Sequence, residues 1–150
     1  MTQFGLSFKR LGWSCHFVDP TEPDNFRKAI TAKTKAIFLE VLANPGGLII
    51  DLEKVVEIGK NHGIPVIVDN TMASPYLLNP IDWGADIVIH STTKFLNGHG
   101  TSMGGVIIES GKFDWVKNGK FPSMTEPDPA YHGLIFHETF GDFGLSLIHI

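Results

Sequence analysis

The chain has 150 residues, enough for one domain or part of one. Its 43% hydrophobic and 19% charged content is ordinary for a folded protein, and its net charge of −4 argues against nucleic acid or an anionic membrane surface as the main partner. Cys15 is the single cysteine, which excludes an internal disulfide framework and a cysteine-based metal site and fits a reducing, cytosolic setting. No apolar run approaches the roughly 20 residues of a membrane helix, and the first residues lack the apolar block of a secretory signal.

Taken in chain order, short apolar runs alternate with helix-like stretches. Cys15 to Val18 is predicted to be a short strand closed by Asp19-Pro20. Asp24 is predicted to cap a helix running to about Thr31, and Lys35 to Glu40 reads as a buried strand. Asn44-Pro45-Gly46-Gly47 is a turn signal. Asp51 then caps a helix with Leu52, Val55 and Val56 on one face, and Gly63 ends it. Ile64 to Asp69 is an almost wholly apolar strand, as expected where a parallel sheet is covered on both faces. A short helix or turn region fills Ser74 to Trp83, and Asp86 to His90 and Gly104 to Glu109 are further strands. From Lys112 to Pro129 the pattern weakens into a long ordered loop, read as a wall of a site or interface. There is no internal repeat and no low-complexity segment.

This alternation specifies an α/β domain with a mainly parallel sheet and flanking helices. Ligands gather at the carboxyl ends of such strands. The residues there are Glu40 and Asn44, Asp69 and Asn70, and Ser91 to Lys94. A lysine at a buried strand end is expected to lose part of its solvation, which favours the neutral amine needed for imine chemistry. Ser91, Thr92 and Thr93 offer hydroxyl and backbone donors suited to a phosphate. The same four residues, Ser91 to Lys94, also describe a surface lysine after a strand. Asp69 ends the strand before. It suits the protonated nitrogen of a heterocycle, and equally a cap on the following turn or a metal ligand. Taken together, Asp69 and Lys94 close successive strands, so one flat ring could lie between an acid and an amine.

Other chemistries lack their motifs. There is no H-E-x-x-H among the seven histidines, no G-x-G-x-x-G, no phosphate-binding G-x-x-x-x-G-K-[ST] and no G-x-S-x-G elbow. His99 is placed to touch a ligand or to make a structural hydrogen bond. The Phe113, Trp115, Phe121 and Tyr131 group reads as loop packing.

The segment D-I-V-I-H-S-T-T-K-F-L-N-G-H-G, Asp86 to Gly100, resembles the lysine-site signature of the Cys/Met-metabolism family of pyridoxal 5′-phosphate enzymes, at every defined position. V-D-N-T at Val68 to Thr71 and E-x-x-x-N-P at Glu40 to Pro45 resemble that family in order and spacing. Within it, G-G-V-I-I-E-S-G-K-F-D-W, G-K-F-P and T-E-P-D-P-A-Y-H-G are most similar to the O-acetylhomoserine sulfhydrylase branch. The resemblance implies the large cofactor domain of the fold-type I, aspartate-aminotransferase-like architecture. It implies that Lys94 binds the cofactor aldehyde and shuttles protons, that Asp69 meets the ring nitrogen, and that Ser91 and Thr93 hold the phosphate. Asn44 would lie near the 3′-oxygen. No metal is implied.

The implied reaction is γ-replacement: O-acetylhomoserine loses acetate and gains sulfide or methanethiol, giving homocysteine or methionine. Cystathionine γ-synthase or γ-lyase activity is the alternative within the family. An inactive fragment or interaction module without cofactor is the alternative outside it. The partners implied are small-molecule substrates and further copies of the chain, in the cytoplasm, because the family completes each site with a neighbouring subunit. Residues 1–144 are expected to be the central part of the cofactor domain, truncated at both ends. The upstream glycine-rich loop and stacking tyrosine, and the downstream arginine and smaller domain, are not in the sequence. Residues 145–150, Leu-Ser-Leu-Ile-His-Ile, match what the end of a common DNA-library transposon encodes, and are expected to be a non-native tail. The isolated fragment is expected to aggregate and to show little turnover.

Overall fold

The computed structural model describes residues 3–141. Its centre is a four-stranded sheet in the order β1 (Ile37–Glu40), β2 (Val66–Asp69), β3 (Ile87–Ser91), β4 (Gly105–Glu109). The first three strands are parallel, with Glu40 opposite Asp69 and Asp69 opposite Ile89. β4 returns antiparallel to β3, pairing Ser91 with Gly105. A mainly parallel sheet is therefore what forms, with one antiparallel edge. The helices are α1 (Phe8–Arg10), α2 (Asp24–Ala29), α3 (Leu52–His62), α4 (Ser74–Leu77), α5 (Pro122–Thr125) and α6 (Phe136–Phe140).

α3 is the crossover from β1 to β2, and its ends follow from sequence. Asp51 accepts a hydrogen bond from the Lys54 N–H at 3.2 Å, satisfying one of the free donors of the first turn. Gly63 closes the helix at φ 59°, a left-handed conformation that suits glycine. A methyl group there would also collide with the Asn118 side-chain amide.

Strands β1 to β3 are covered on both faces. On one, Val55, Val56 and Ile58 of α3 pack with Ile37, Leu39, Val66, Val68 and Val88. On the other, Ile87 packs with Trp115 and Met124, supported by Ile67, Phe113 and Phe121. The rings of Phe113, Trp115 and Phe121 meet edge to face with centroids 4.7–5.7 Å apart. The loop aromatics are thus packing residues, with one exception: Tyr131 pairs with Phe136 instead, at 5.1 Å.

Three expectations are corrected. Cys15 to Val18 is not a strand: Cys15, His16 and Phe17 are exposed, and β1 is hydrogen-bonded on one side by β2 with no described strand beside this segment. An extended segment without a partner leaves its backbone groups to water. Asp24 is the first helical residue of α2, not its cap; Pro23 holds that position, and Asp24 instead pairs with Arg27 at 2.7 Å. The stretch from Lys112 to Pro129 is not all loop, since it holds α5, while Lys112, Phe113, Asp114, Lys117 and Asn118 do wall a cavity, of about 540 Å³, at the amino end of the strands beside Ile64 and Asp86. The expected tail at 145–150 lies outside the described residues.

Candidate active site

Parallel strands joined by crossovers end at one edge, so β1, β2 and β3 bring their last residues together. There they line an open cavity of about 580 Å³ with Glu40, Asn44, Asp69, Thr71, Ser91, Thr93 and Lys94 in its wall. That volume falls within the roughly 300–1,000 Å³ of small-molecule sites. The five residues to which the resemblance gave a cofactor role all line it; Asn70 and Thr92, also picked out at the strand ends, do not.

Asp69 is half-buried at the tip of β2. Its Oδ1 accepts the Thr71 N–H at 2.9 Å, the turn-capping role foreseen as one alternative, and Oδ2 has no protein partner among the described residues. Thr71 in turn accepts the Ser91 N–H on Oγ1 at 2.8 Å, tying the end of β2 to the end of β3. Asn44 follows β1 on a turn with a cis bond to Pro45, and its N–H donates to Glu40 Oε2 at 3.1 Å.

Beyond Ser91 the chain winds into a wide helical turn, Thr92–Leu96, broken at Lys94 (φ −92°, ψ −120°). Gly104 anchors this turn. Its carbonyl accepts the Thr92 N–H at 3.0 Å, and its N–H donates to Thr93 Oγ1 at 3.0 Å. A methyl group on Gly104 would stand 2.6 Å from Thr92 Oγ1, so the close approach requires glycine. The Thr93 hydroxyl itself donates to the Gly104 carbonyl over a long 3.4 Å.

Lys94 is exposed, which corrects the expectation of a buried amine. It sits past the strand, on the turn, where no core side chain covers it. His99 makes the structural bond: its Nδ1 accepts the Thr101 N–H at 3.1 Å, and it does not line the cavity. Thr71, Met72 and Phe95 line the cavity and were not singled out from sequence. The strand-tip rule that drew attention to Asp69 and Asn70 reaches Thr71 and Met72 if extended by two residues.

The profile of the family described as Cys/Met metabolism PLP-dependent enzymes matches residues 1–134. The chain belongs to this family. An O-acetyl-L-homoserine sulfhydrylase of Leptospira meyeri is 56% identical over 137 residues, covering 91% of this chain and 31% of the relative. A homocysteine/cysteine synthase of Saccharomyces cerevisiae is 46% identical over 150 residues, covering 99% of this chain and 34% of the relative. A crystal structure of a Campylobacter jejuni protein named for O-acetylhomoserine (thiol)-lyase activity, with N′-pyridoxyl-lysine-5′-monophosphate, superposes with a TM-score of 0.91 at 36% identity. It covers 98% of this chain and 37% of that one. The chain thus spans about a third of the length of these relatives. Pyridoxal phosphate is the cofactor of the family, and the donor set fits it. The cavity offers an amine, a carboxylate with a free oxygen and hydroxyls, on one wall.

Proposed function

We propose that this chain supplies the lysine-bearing wall of a pyridoxal-phosphate site, in an enzyme that replaces the γ-substituent of O-acetyl-L-homoserine. Sulfide or methanethiol enters, acetate leaves, and homocysteine or methionine is formed. The observation that carries the reading is that Asp69, at the tip of β2, and Lys94, on the turn that follows the adjacent parallel strand β3, line one cavity with Asn44, Ser91 and Thr93.

Lys94 Nζ would hold the cofactor covalently, Asp69 would face its ring nitrogen, and Asn44 its 3′-oxygen. Ser91 and Thr93 would hold the phosphate. Thr93 can do so without leaving Gly104. It keeps the Gly104 N–H on its oxygen and turns its own proton away from the distant Gly104 carbonyl. Bound pyridoxal phosphate supplies an electron sink for charge developing at the substrate α-carbon. The carboxylate of Asp69 would strengthen that sink by favouring a protonated ring nitrogen. The Lys94 side chain, flexible and on an exposed turn, would in its neutral amine form be the group placed to take a proton from one substrate carbon and return it at another.

A cofactor site buries most of its ligand, whereas here Lys94, Asn44 and Phe95 are exposed. That openness supports a homo-oligomer in which further protein closes the cavity. No helix among the described residues is long and apolar enough to cross a membrane, and with the single free cysteine this supports a cytoplasmic setting. Residues 1–144 are read as the central part of the cofactor domain.

The test is an assay of the full-length protein with O-acetylhomoserine and either sulfide, methanethiol or cysteine, and separately with cystathionine. Acetate and homocysteine from sulfide are expected. Preference for cysteine, or cleavage of cystathionine, would move the protein to the cystathionine branches. No turnover and no bound cofactor would leave a non-catalytic interaction module.

A further inference from the structure

Two polar side chains lie in the core directly behind the cavity. Asn70 is fully buried and His90 is 3% exposed. Asn70 adjoins Asp69 in sequence, and His90 adjoins Ser91. Asp69 pairs with Ile89, and the Asn70 N–H donates to the Ile89 carbonyl at 2.9 Å, so Asn70 and His90 follow at the next step of neighbouring strands. Side chains alternate along a strand. Val68 and Val88, two residues earlier, share one core cluster, so Asn70 and His90 lie on that same face.

The Asn70 amide is oriented by its nitrogen. Nδ2 donates to the Leu78 carbonyl at 2.8 Å and to the Ser74 carbonyl at 3.2 Å, at the two ends of α4. Its Oδ1 is buried without a partner, and so is His90 Nδ1. Buried polar atoms are rarely left unmatched, because each forfeits its hydrogen bonds to water. An acceptor and a ring nitrogen, unmatched at adjacent register positions, are what a single enclosed water needs to be held.

We propose that one buried water bridges Asn70 Oδ1 and His90 Nδ1, and that the bridge positions Asp69 and Ser91 by fixing the tips of β2 and β3 relative to each other. The water donates to Asn70 Oδ1 and makes its second hydrogen bond with His90 Nδ1. Asn70 and His90 are positioning residues: neither lines the cavity, and each acts through the neighbour that does. What they position rests on the cofactor reading above; the bridge itself does not.

The experiment compares His90→Leu and His90→Asn in the full-length protein by two measurements. Leucine fills the site without a polar atom, and asparagine returns an amide close to the place of Nδ1. The urea midpoint of the cofactor-free protein reads the bridge. The dissociation constant for added pyridoxal phosphate, followed by absorbance, reads the positioning. His90→Leu is expected to lower the midpoint, because Asn70 Oδ1 is left without its bridge, and to weaken cofactor binding about tenfold, because the outer partner that orients Asp69 and Ser91 is lost. His90→Asn is expected to recover most of both. An Asn70→Ala background should make His90→Leu cost little more, because the bridge is already gone. Equal midpoints for wild type and His90→Leu, or no recovery in His90→Asn, would overturn the bridge. Altered midpoints with unchanged cofactor affinity would overturn the positioning. A wild-type protein that binds no cofactor would overturn the proposed function, and the positioning with it, while the midpoints still decide the bridge.

Discussion

Asp69 has two oxygens with different duties. Oδ1 caps the turn through the Thr71 N–H, and Oδ2 is left for a ligand. Replacing Asp69 with asparagine keeps an acceptor for Thr71 and removes the charge. The Asp69→Asn protein is therefore expected to fold and to bind cofactor, while turnover falls about a hundredfold or more through loss of one electrostatic partner; kcat and thermal midpoint, measured side by side, check this. Asp86 lies at the other end of the sheet, before β3. Burial pushes its carboxyl up, against the hydrogen bond from the Val66 N–H and the nearby charge of Lys60. A raised folded value means that its contribution to stability is full below the unfolded value and is lost as pH rises through the folded one. Asp86→Asn keeps an acceptor for Val66, so it is expected to be at least as stable as wild type at neutral pH and to lose less stability as pH rises above the ordinary aspartate range. Denaturant midpoints across that rise test it. Asp69 and Lys94 were legible in the sequence because the one ends an apolar run and the other follows the next run within a few residues, and the strand-tip rule needs no side-chain detail. The exposure of Lys94 was not, because it depends on the turn that carries the residue out of the sheet, and that turn is set by Gly104 ten residues later.

At the scale of elements, α3 was readable from both ends because its stop and start are local chemistry: a carboxylate at the cap and a glycine at the close. Asp51→Ala is expected to cost about 1 kcal/mol in urea unfolding. The Asp51 carboxyl is held below the usual carboxylate range by its hydrogen bonds with Lys54. That sign makes its contribution fully present above the ordinary aspartate range and lost as pH falls through the folded value, so the penalty of Asp51→Ala should shrink in acid. A penalty independent of pH would contradict the assignment. The segment from Cys15 to Val18 failed as a strand for a non-local reason: its residues have strand propensity, but pairing needs a neighbour, and propensity carries no information about one. β4 was found, yet its antiparallel direction was not, since direction is set by the loop that turns the chain back.

The whole molecule presents an edge. β4 leaves Val106, Ile107 and Ile108 exposed, and Ile107 keeps 55% of its surface in water. Phe95 and Met103 add apolar surface on the stretch that joins β3 to β4. Unpaired strand edges of this composition invite association. The 150-residue chain on its own is expected to self-associate, and Ile107→Lys to reduce that; light scattering at matched concentrations measures both. The parallel sheet is the part of the architecture that decides function, because it alone brings residues distant in sequence to one end. Reduction with borohydride followed by peptide mass mapping addresses this most directly. The full-length protein, incubated with pyridoxal phosphate and reduced, is expected to carry one pyridoxyl group on Lys94 and none in a Lys94→Ala variant. A pyridoxyl group on another lysine, or none on wild type, would contradict a cofactor site built between Asp69 and Lys94.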